Sequence, residues 1–221
     1  MTDSKPTVAI VGGTGALGTG IAGRLAAAGY PVVIGSRTRE KAEDAAKSRA
    51  SAGGSIRAAT NAEAAAAAAV VILTVPFANH VAILDDIKPH VAGKLVVDTT
   101  VPLVPPRVAR VQLPPEGSAA VAAQQRLGDG IRVVAAFHNV AAHKLQQPDM
   151  AIDCDVLVCG DAVADREVVI GLVKAMGLRG LHAGPLANAA AAEALTSILI
   201  GINRTYKVDG AGIRITGIAE S

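Results

Sequence analysis

The stretch Thr7-Val-Ala-Ile-Val11-Gly12-Gly13-Thr14-Gly15-Ala16-Leu17-Gly18 decides the fold of this chain. A β-branched run ends in a glycine cluster, and an Ala/Leu-rich helical pattern continues to Gly29. Within it, Gly13-x-Gly15-x-x-Gly18 has the spacing of a dinucleotide-binding turn. Each glycine has its own physical reason. Gly13 allows the tight turn, Gly15 lets backbone N–H groups approach a pyrophosphate, and Gly18 lets the helix press onto the sheet. The pyrophosphate then rests on the helix N-terminus, where unpaired N–H groups and the dipole favour an anion. A glycine triplet by itself also fits an ordinary strand-to-helix turn. Here a strand precedes it, a helix over 15–28 follows, and a second strand comes at 31–35, which is the context a nucleotide site requires.

The second strand indicates which nucleotide. An NAD binder usually places Asp or Glu about 20 residues past the glycines to bond the ribose 2′-hydroxyl. This chain has Ser36 there, followed by Arg37. A carboxylate would repel a 2′-phosphate, whereas a hydroxyl and a guanidinium fork accept one. Arg39 and Lys41 follow in the first turn of the next helix, where cations oppose the dipole; at least one of them is expected to face the same phosphate. The expected cofactor is therefore NADP(H).

Composition narrows the remaining classes. The chain of 221 residues is 51% apolar and 18% charged, which is long and apolar enough for one large packed domain. Net charge is +2 with no Lys/Arg block or aromatic platform, so nucleic-acid binding has no support. The longest uncharged run, around 64–76, is short and ends at Pro76, so no membrane span is expected there. The N-terminal apolar run reads as the first strand and not as a signal peptide, and a cytoplasmic location is the default. Aromatics are limited to Tyr30, Phe77, Phe137 and Tyr206, so a flat ring must be held by aliphatic side chains and backbone. Cys154 and Cys159 lie in one strand-like run, about 17 Å apart and on opposite faces. They cannot pair, and without clustered histidines they make no zinc site, so no metal is expected.

Helical and extended patterns alternate along the chain. Helices are expected at 38–52, 62–69 (capped by Asn61), 78–87, 118–127, 165–176 and 188–203. Strands are expected at 57–60, 70–75, 94–98, 131–137, 155–159 and 181–183. This rhythm predicts an α/β fold: a doubly wound parallel, Rossmann-type sheet in one domain (1–221) with a small C-terminal elaboration. The proline-rich stretch 101–115 breaks the rhythm as a rigid connection, equally a site wall or a mere connector. Ligands of such sheets bind beyond the carboxyl ends of the strands. That rule singles out Thr74, Val75, Pro76 and Phe77; Asp98 to Pro102, including Val101; His138, Asn139, Val140 and Ala141; and 184–188. His138 is either a donor to a ring heteroatom or a satisfied strand-end histidine. His80, His90 and His143 read as surface helix positions without a role, and His182 as structural.

These blocks together resemble the F420H2:NADP oxidoreductases, the NADP-dependent reductases of the deazaflavin coenzyme F420. The resemblance spans nearly the whole chain. It runs through Gly12-Gly-Thr-Gly-Ala-Leu-Gly18, Gly35-Ser-Arg-Thr-Arg-Glu-Lys-Ala42, Thr74-Val-Pro76 and Ala136-Phe-His-Asn-Val-Ala141. It continues through Cys159-Gly-Asp161, Ala183-Gly-Pro-Leu186 and Glu193-Ala-Leu-Thr196 to Gly210-Ala-Gly-Ile-Arg-Ile215. It implies hydride exchange between a nicotinamide and coenzyme F420. By carry-over, Thr14, Ser36, Arg37 and Lys41 hold the NADP phosphates. Gly13, Gly15, Ala16, Leu17, Thr74, Val75, Pro76, Val101 and Ala141 complete the expected cofactor-binding residues. His138, Asn139, Val140 and Thr196 line the deazaflavin pocket within the part 138–221, with His138 as the ring-positioning candidate. Ala194 departs from a serine the family can carry. No acid–base pair stands out, which suits direct hydride transfer between two stacked rings. The expected partner is a small-molecule redox coenzyme, with a homodimer as the assembly to test. The alternatives are an NADPH-dependent reductase of a flavin, pterin or imine, and a non-catalytic NADP(H) sensor.

Overall fold

The structure is a computed structural model that describes residues 5–49 and 54–218. Strand β1 (Val8–Val11) is buried along its length, as an apolar run between two helical layers must be. In chain order follow α1 (Ala16–Ala27), β2 (Val32–Ser36), α2 (Arg39–Lys47), β3 (Ile56–Thr60), α3 (Asn61–Ala67) and β4 (Val70–Leu73). Then come α4 (His80–Ile87), β5 (Leu95–Asp98), α5 (Ala119–Leu127) and β6 (Arg132–Ala135). The six strands form one parallel sheet in the order β3-β2-β1-β4-β5-β6. The order reverses between β1 and β4, so a crevice opens above those two strands. Alternate residues of each strand supply two cores. Ile10, Ile34 and Ile72 pack with Ile21 and Leu25 of α1 on one face. Val11, Val33 and Leu73 pack with Ala64, Leu84 and Ile87 on the other.

The C-terminal part extends this sheet in a different sense. Short helix α6 (Ala142–Leu145) leads to β7 (Asp155–Val158), α7 (Val163–Ala175), β8 (Arg179–His182) and α8 (Ala189–Tyr206). Strands β7 and β8 pair parallel to each other. They join β6 through one antiparallel bridge, Ala135 to Cys159, with N–O distances of 2.8 and 3.0 Å. Arg24 of α1 anchors this part. Its buried guanidinium donates to the carbonyls of Leu145, Gln147, Met150 and Met176 at 2.6–3.1 Å, which gives those carbonyls the donors they lack. Cys154 and Cys159 are buried and unbonded to each other, and they contribute to opposite cores.

The doubly wound sheet is as expected from the sequence, with several local corrections. Thr60, not Asn61, caps α3. Its hydroxyl accepts from Glu63 N, and the Glu63 carboxylate returns to Thr60 N at 2.9 Å, a reciprocal arrangement that satisfies two otherwise free donors. Strand β4 ends at Leu73, two residues short of expectation. Strand β6 ends at Ala135 because Phe137 takes φ 69°, a left-handed conformation uncommon for a bulky residue, and the chain turns there. Helix α2 ends at Lys47; its expected continuation over 50–52 lies outside the described residues. The stretch 101–117 carries turns without helix or strand. The segment Leu186–Tyr206, which contains α8, is long and apolar enough to cross a membrane by length and composition alone. In the fold it packs on α5 through the buried Glu193.

Candidate active site

The turn after β1 is shaped by close contacts. Gly12 carries the left-handed φ of 69° and donates its N–H to Asn61 Oδ1 at 3.0 Å. Gly13 is needed for space: a Cβ there would sit 2.6 Å from Ile10 O. At Gly18 a Cβ would come within 2.6 Å of Gly13 Cα, so the helix lies directly on the turn. A Cβ at Gly15 would meet nothing within 4 Å, because it points into an open cleft. Helix α1 begins here with no side-chain cap and no acid in its first turn, leaving its N–H groups to an anion.

The cleft has a volume of about 580 Å³ and lies over the strand-order reversal. Thr14, Gly15, Ala16 and Leu17 form its floor, Ser36, Arg37 and Lys41 one end, and Thr74, Val75 and Pro76 the opposite wall. Thr99, from the strand-end stretch singled out above, also lines it, as do Asn61, Asn79, Ala82 and Ile83, which no motif marks as cleft residues. Of the expected cofactor residues, Gly13 underlies the turn, Val101 lines neither this cleft nor the smaller pocket beside α8, and Ala141 lines that smaller pocket. The structure also separates the two basic side chains of α2. Arg39 makes a two-pronged pair with Glu63 at 2.7 and 2.8 Å, while Lys41 lines the cleft.

A second, smaller pocket of about 130 Å³ lies between the turn after β6 and α8. His138, Asn139, Val140, Ala141 and Thr196 come together here with Leu199, Ile200 and Asn203. Thr196 Oγ1 donates to the His138 carbonyl at 2.6 Å, which fixes α8 against the turn. The Asn139 amide is committed to the carbonyl of Asp155 at 2.7 Å, so it holds β7 in place. The His138 ring is 5% exposed and neither ring nitrogen has a hydrogen-bond partner among the described residues. A satisfied strand-end histidine is therefore not what the fold contains.

Burial pulls the His138 imidazole down to about 4, against an opposing effect of the Asp98 carboxylate. The ring is neutral at pH 7. Because its folded value lies below the ordinary 6.5, the native state binds fewer protons than the unfolded chain between those values. Stability is complete above about pH 6.5 and falls as pH drops towards 4, by on the order of 3 kcal/mol. Urea melts should show His138→Leu losing on the order of 2 kcal/mol less than the unaltered protein between about pH 7.5 and pH 4.5. Equal losses in the two proteins would contradict this.

Three buried polar features near the site, the first of them a pair, have partners that were not legible in the sequence. His80, expected at the surface, is 2% exposed, and its Nε2 lies 2.7 Å from Asp98 Oδ2. Asp98 Oδ1 accepts from Thr100 N at 2.9 Å. Burial pushes the Asp98 carboxyl up, but its bonds from His80 and Thr100 outweigh that and hold it below the usual carboxylate range. An acid ending the apolar strand Leu95–Asp98 signals a buried partner without saying which. Glu193 is 1% exposed and accepts from Ala119 N and Ala120 N at 2.7 and 3.1 Å. Asn61 is the third, through its bond to Gly12. No group of three metal-ligating side chains occurs among the described residues.

A family model described as NADP oxidoreductase coenzyme F420-dependent matches residues 7–102, the part that carries the cleft. The F420-dependent NADP reductase of Methanocaldococcus jannaschii is 39% identical over 221 aligned residues, covering 96% of this chain and 98% of that one. The chain belongs to the coenzyme F420-dependent NADP oxidoreductase family. A second member, the F420-dependent NADP reductase of Methanothermobacter thermautotrophicus, is 40% identical and covers 96% of each chain. A crystal structure described as an F420-dependent NADP-reductase from Arthrobacter sp. fb24 superposes with a TM-score of 0.80 at 26% identity, covering 96% of this chain and 99% of the other. These alignments extend the kinship past the cleft to almost the whole chain.

Proposed function

We propose that this member of the family transfers a hydride directly between NADP(H), held in the cleft, and the deazaflavin of coenzyme F420, held in the second pocket. The observation that carries the reading is His138: a buried, neutral imidazole with no hydrogen-bond partner on either nitrogen among the described residues, in a residue that lines a pocket with Val140, Leu199 and Ile200. Buried polar groups of this kind are rare unless something outside the protein completes them. The uncapped N-terminus of α1 takes the pyrophosphate, and Ser36, Arg37 and Lys41 take the 2′-phosphate. Val140, Leu199 and Ile200 supply apolar walls that keep water from the transferring hydride. The balance is NADPH and one proton plus oxidised deazaflavin giving NADP+ and reduced deazaflavin. The proton comes from solvent, and the two coenzymes carry the chemistry while the protein positions them.

The proposal extends to organisation. The chain 1–221 acts as a single NADP-binding domain whose part from about 138 to 221 forms the second pocket. A cytoplasmic location and a homodimer go with it, the latter supported by the exposed stripe Ile198, Ile202 and Tyr206 on α8.

Isotope transfer tests the reading. Deuterium at the nicotinamide C4 should appear on the reduced deazaflavin and not in solvent. His138→Ala and Thr196→Val should each slow the deazaflavin half-reaction roughly 10- to 100-fold, as misplacement of one ring, while leaving NADPH affinity unchanged. Complete washout of label, or normal turnover in both variants, would refute the assignment. A panel of flavin, pterin and imine acceptors decides between reductases. Tight NADPH binding with no acceptor at all would instead point to a sensor.

A further inference from the structure

We propose that Glu193 is a positioning residue for the second pocket: its carboxylate anchors α8 on the N-terminus of α5 and so holds Thr196 on the His138 carbonyl. The inference rests on the reading of that pocket as the deazaflavin site.

Helix α5 starts at Ala119 with Ser118 as its cap, and its first turn contains no acid. Ser118 Oγ accepts from Val121 N at 3.0 Å. The two preceding N–H groups, of Ala119 and Ala120, go to the two oxygens of Glu193 from another helix. The acceptors that the first N–H groups of α5 lack within their own helix are thus supplied by α8, across 74 residues of sequence. Burial pushes the Glu193 carboxyl up to about 7, against the two N–H bonds that favour its ionised form. A buried acid with no cation bonded to it is a costly way to fill a core position, which argues for a directional task.

That task follows from spacing. Thr196 lies three residues after Glu193, close to one turn along α8. It donates to His138 O at 2.6 Å. A small rotation of α8 would separate that pair and move Leu199 and Ile200, which form the same wall. Glu193 lines neither pocket, so it acts through Thr196 and is not a catalytic residue. An amide could not replace it, because two N–H donors require two acceptor oxygens and Gln offers one.

The test uses the full chain with NADPH and coenzyme F420. E193Q should raise KM for the deazaflavin roughly 10-fold, by misplacing one wall of its pocket, while NADPH affinity measured by calorimetry stays within about twofold. The E193Q/T196V double variant should be no worse than the poorer single variant, since both changes break one contact. Ala119→Pro approaches the same bond from its other side. It deletes one N–H at the first helical position, where proline is tolerated, after a residue already extended. It should raise KM in the same direction, and it decides the matter if E193Q does not fold. Unchanged KM in both variants, multiplying effects in the double variant, or an equal loss of NADPH affinity would overturn the role of Glu193. Absence of deazaflavin turnover in the unaltered enzyme would overturn the pocket assignment, and this proposal with it.

Discussion

Gly15→Val should abolish binding of NADPH and NADH alike while leaving the protein folded. The residue starts α1 with φ −79° and ψ 173°, a conformation any residue adopts, so the backbone tolerates a side chain. The space a Cβ would enter is empty of protein because it belongs to the cleft. A branched side chain there stands where the pyrophosphate must meet the free N–H groups of α1. Losing two such charge-assisted contacts costs about 3–6 kcal/mol, roughly 10²- to 10⁴-fold in affinity. Calorimetry with both nucleotides, alongside a thermal melt, measures it. Normal affinity in the folded variant would reduce the glycine turn to a structural connection. The same substitution at Gly18 should unfold the protein, since the added atom would lie 2.6 Å from Gly13 Cα.

Arg37→Ala should weaken NADPH binding and leave NADH binding nearly untouched. Arg37 stands exposed at the cleft mouth beside the buried Ser36, with Lys41 on the same side. One charge-assisted contact to the 2′-phosphate is worth about 1.5–3 kcal/mol, roughly 10- to 100-fold, and NADH lacks that phosphate. Arg39→Ala provides the internal comparison. Its guanidinium faces Glu63, so its removal should disturb the start of α3 and not nucleotide choice. Equal losses for both nucleotides in Arg37→Ala would remove the basis for NADP selectivity.

Local stereochemistry and periodicity were enough to read the dinucleotide turn, the Ser36-Arg37 corner and the six-stranded parallel sheet. Each is decided within about thirty residues, by where glycine leaves space and where apolar residues recur at strand or helix period. Two short-range readings still missed. Thr60 won the α3 cap from Asn61 because Glu63, three residues on, could complete the reciprocal bonds. Strand β6 stopped early because Phe137 turns through positive φ to bury its ring, which swings His138 to Val140 towards α8.

The sequence by itself determined the fold class, the nucleotide turn and most of the cleft residues, because those depend on neighbours along the chain. Only the tertiary structure decided that Lys41 rather than Arg39 reaches the cleft, since the choice turns on Glu63 of another helix. It alone joined β7 and β8 to the sheet through an antiparallel bridge, paired His80 with Asp98, and set Glu193 on the start of α5. Buried polar groups must find partners, but the partner is whichever donor the packed chain brings within hydrogen-bond reach. No periodicity in the sequence records that distance.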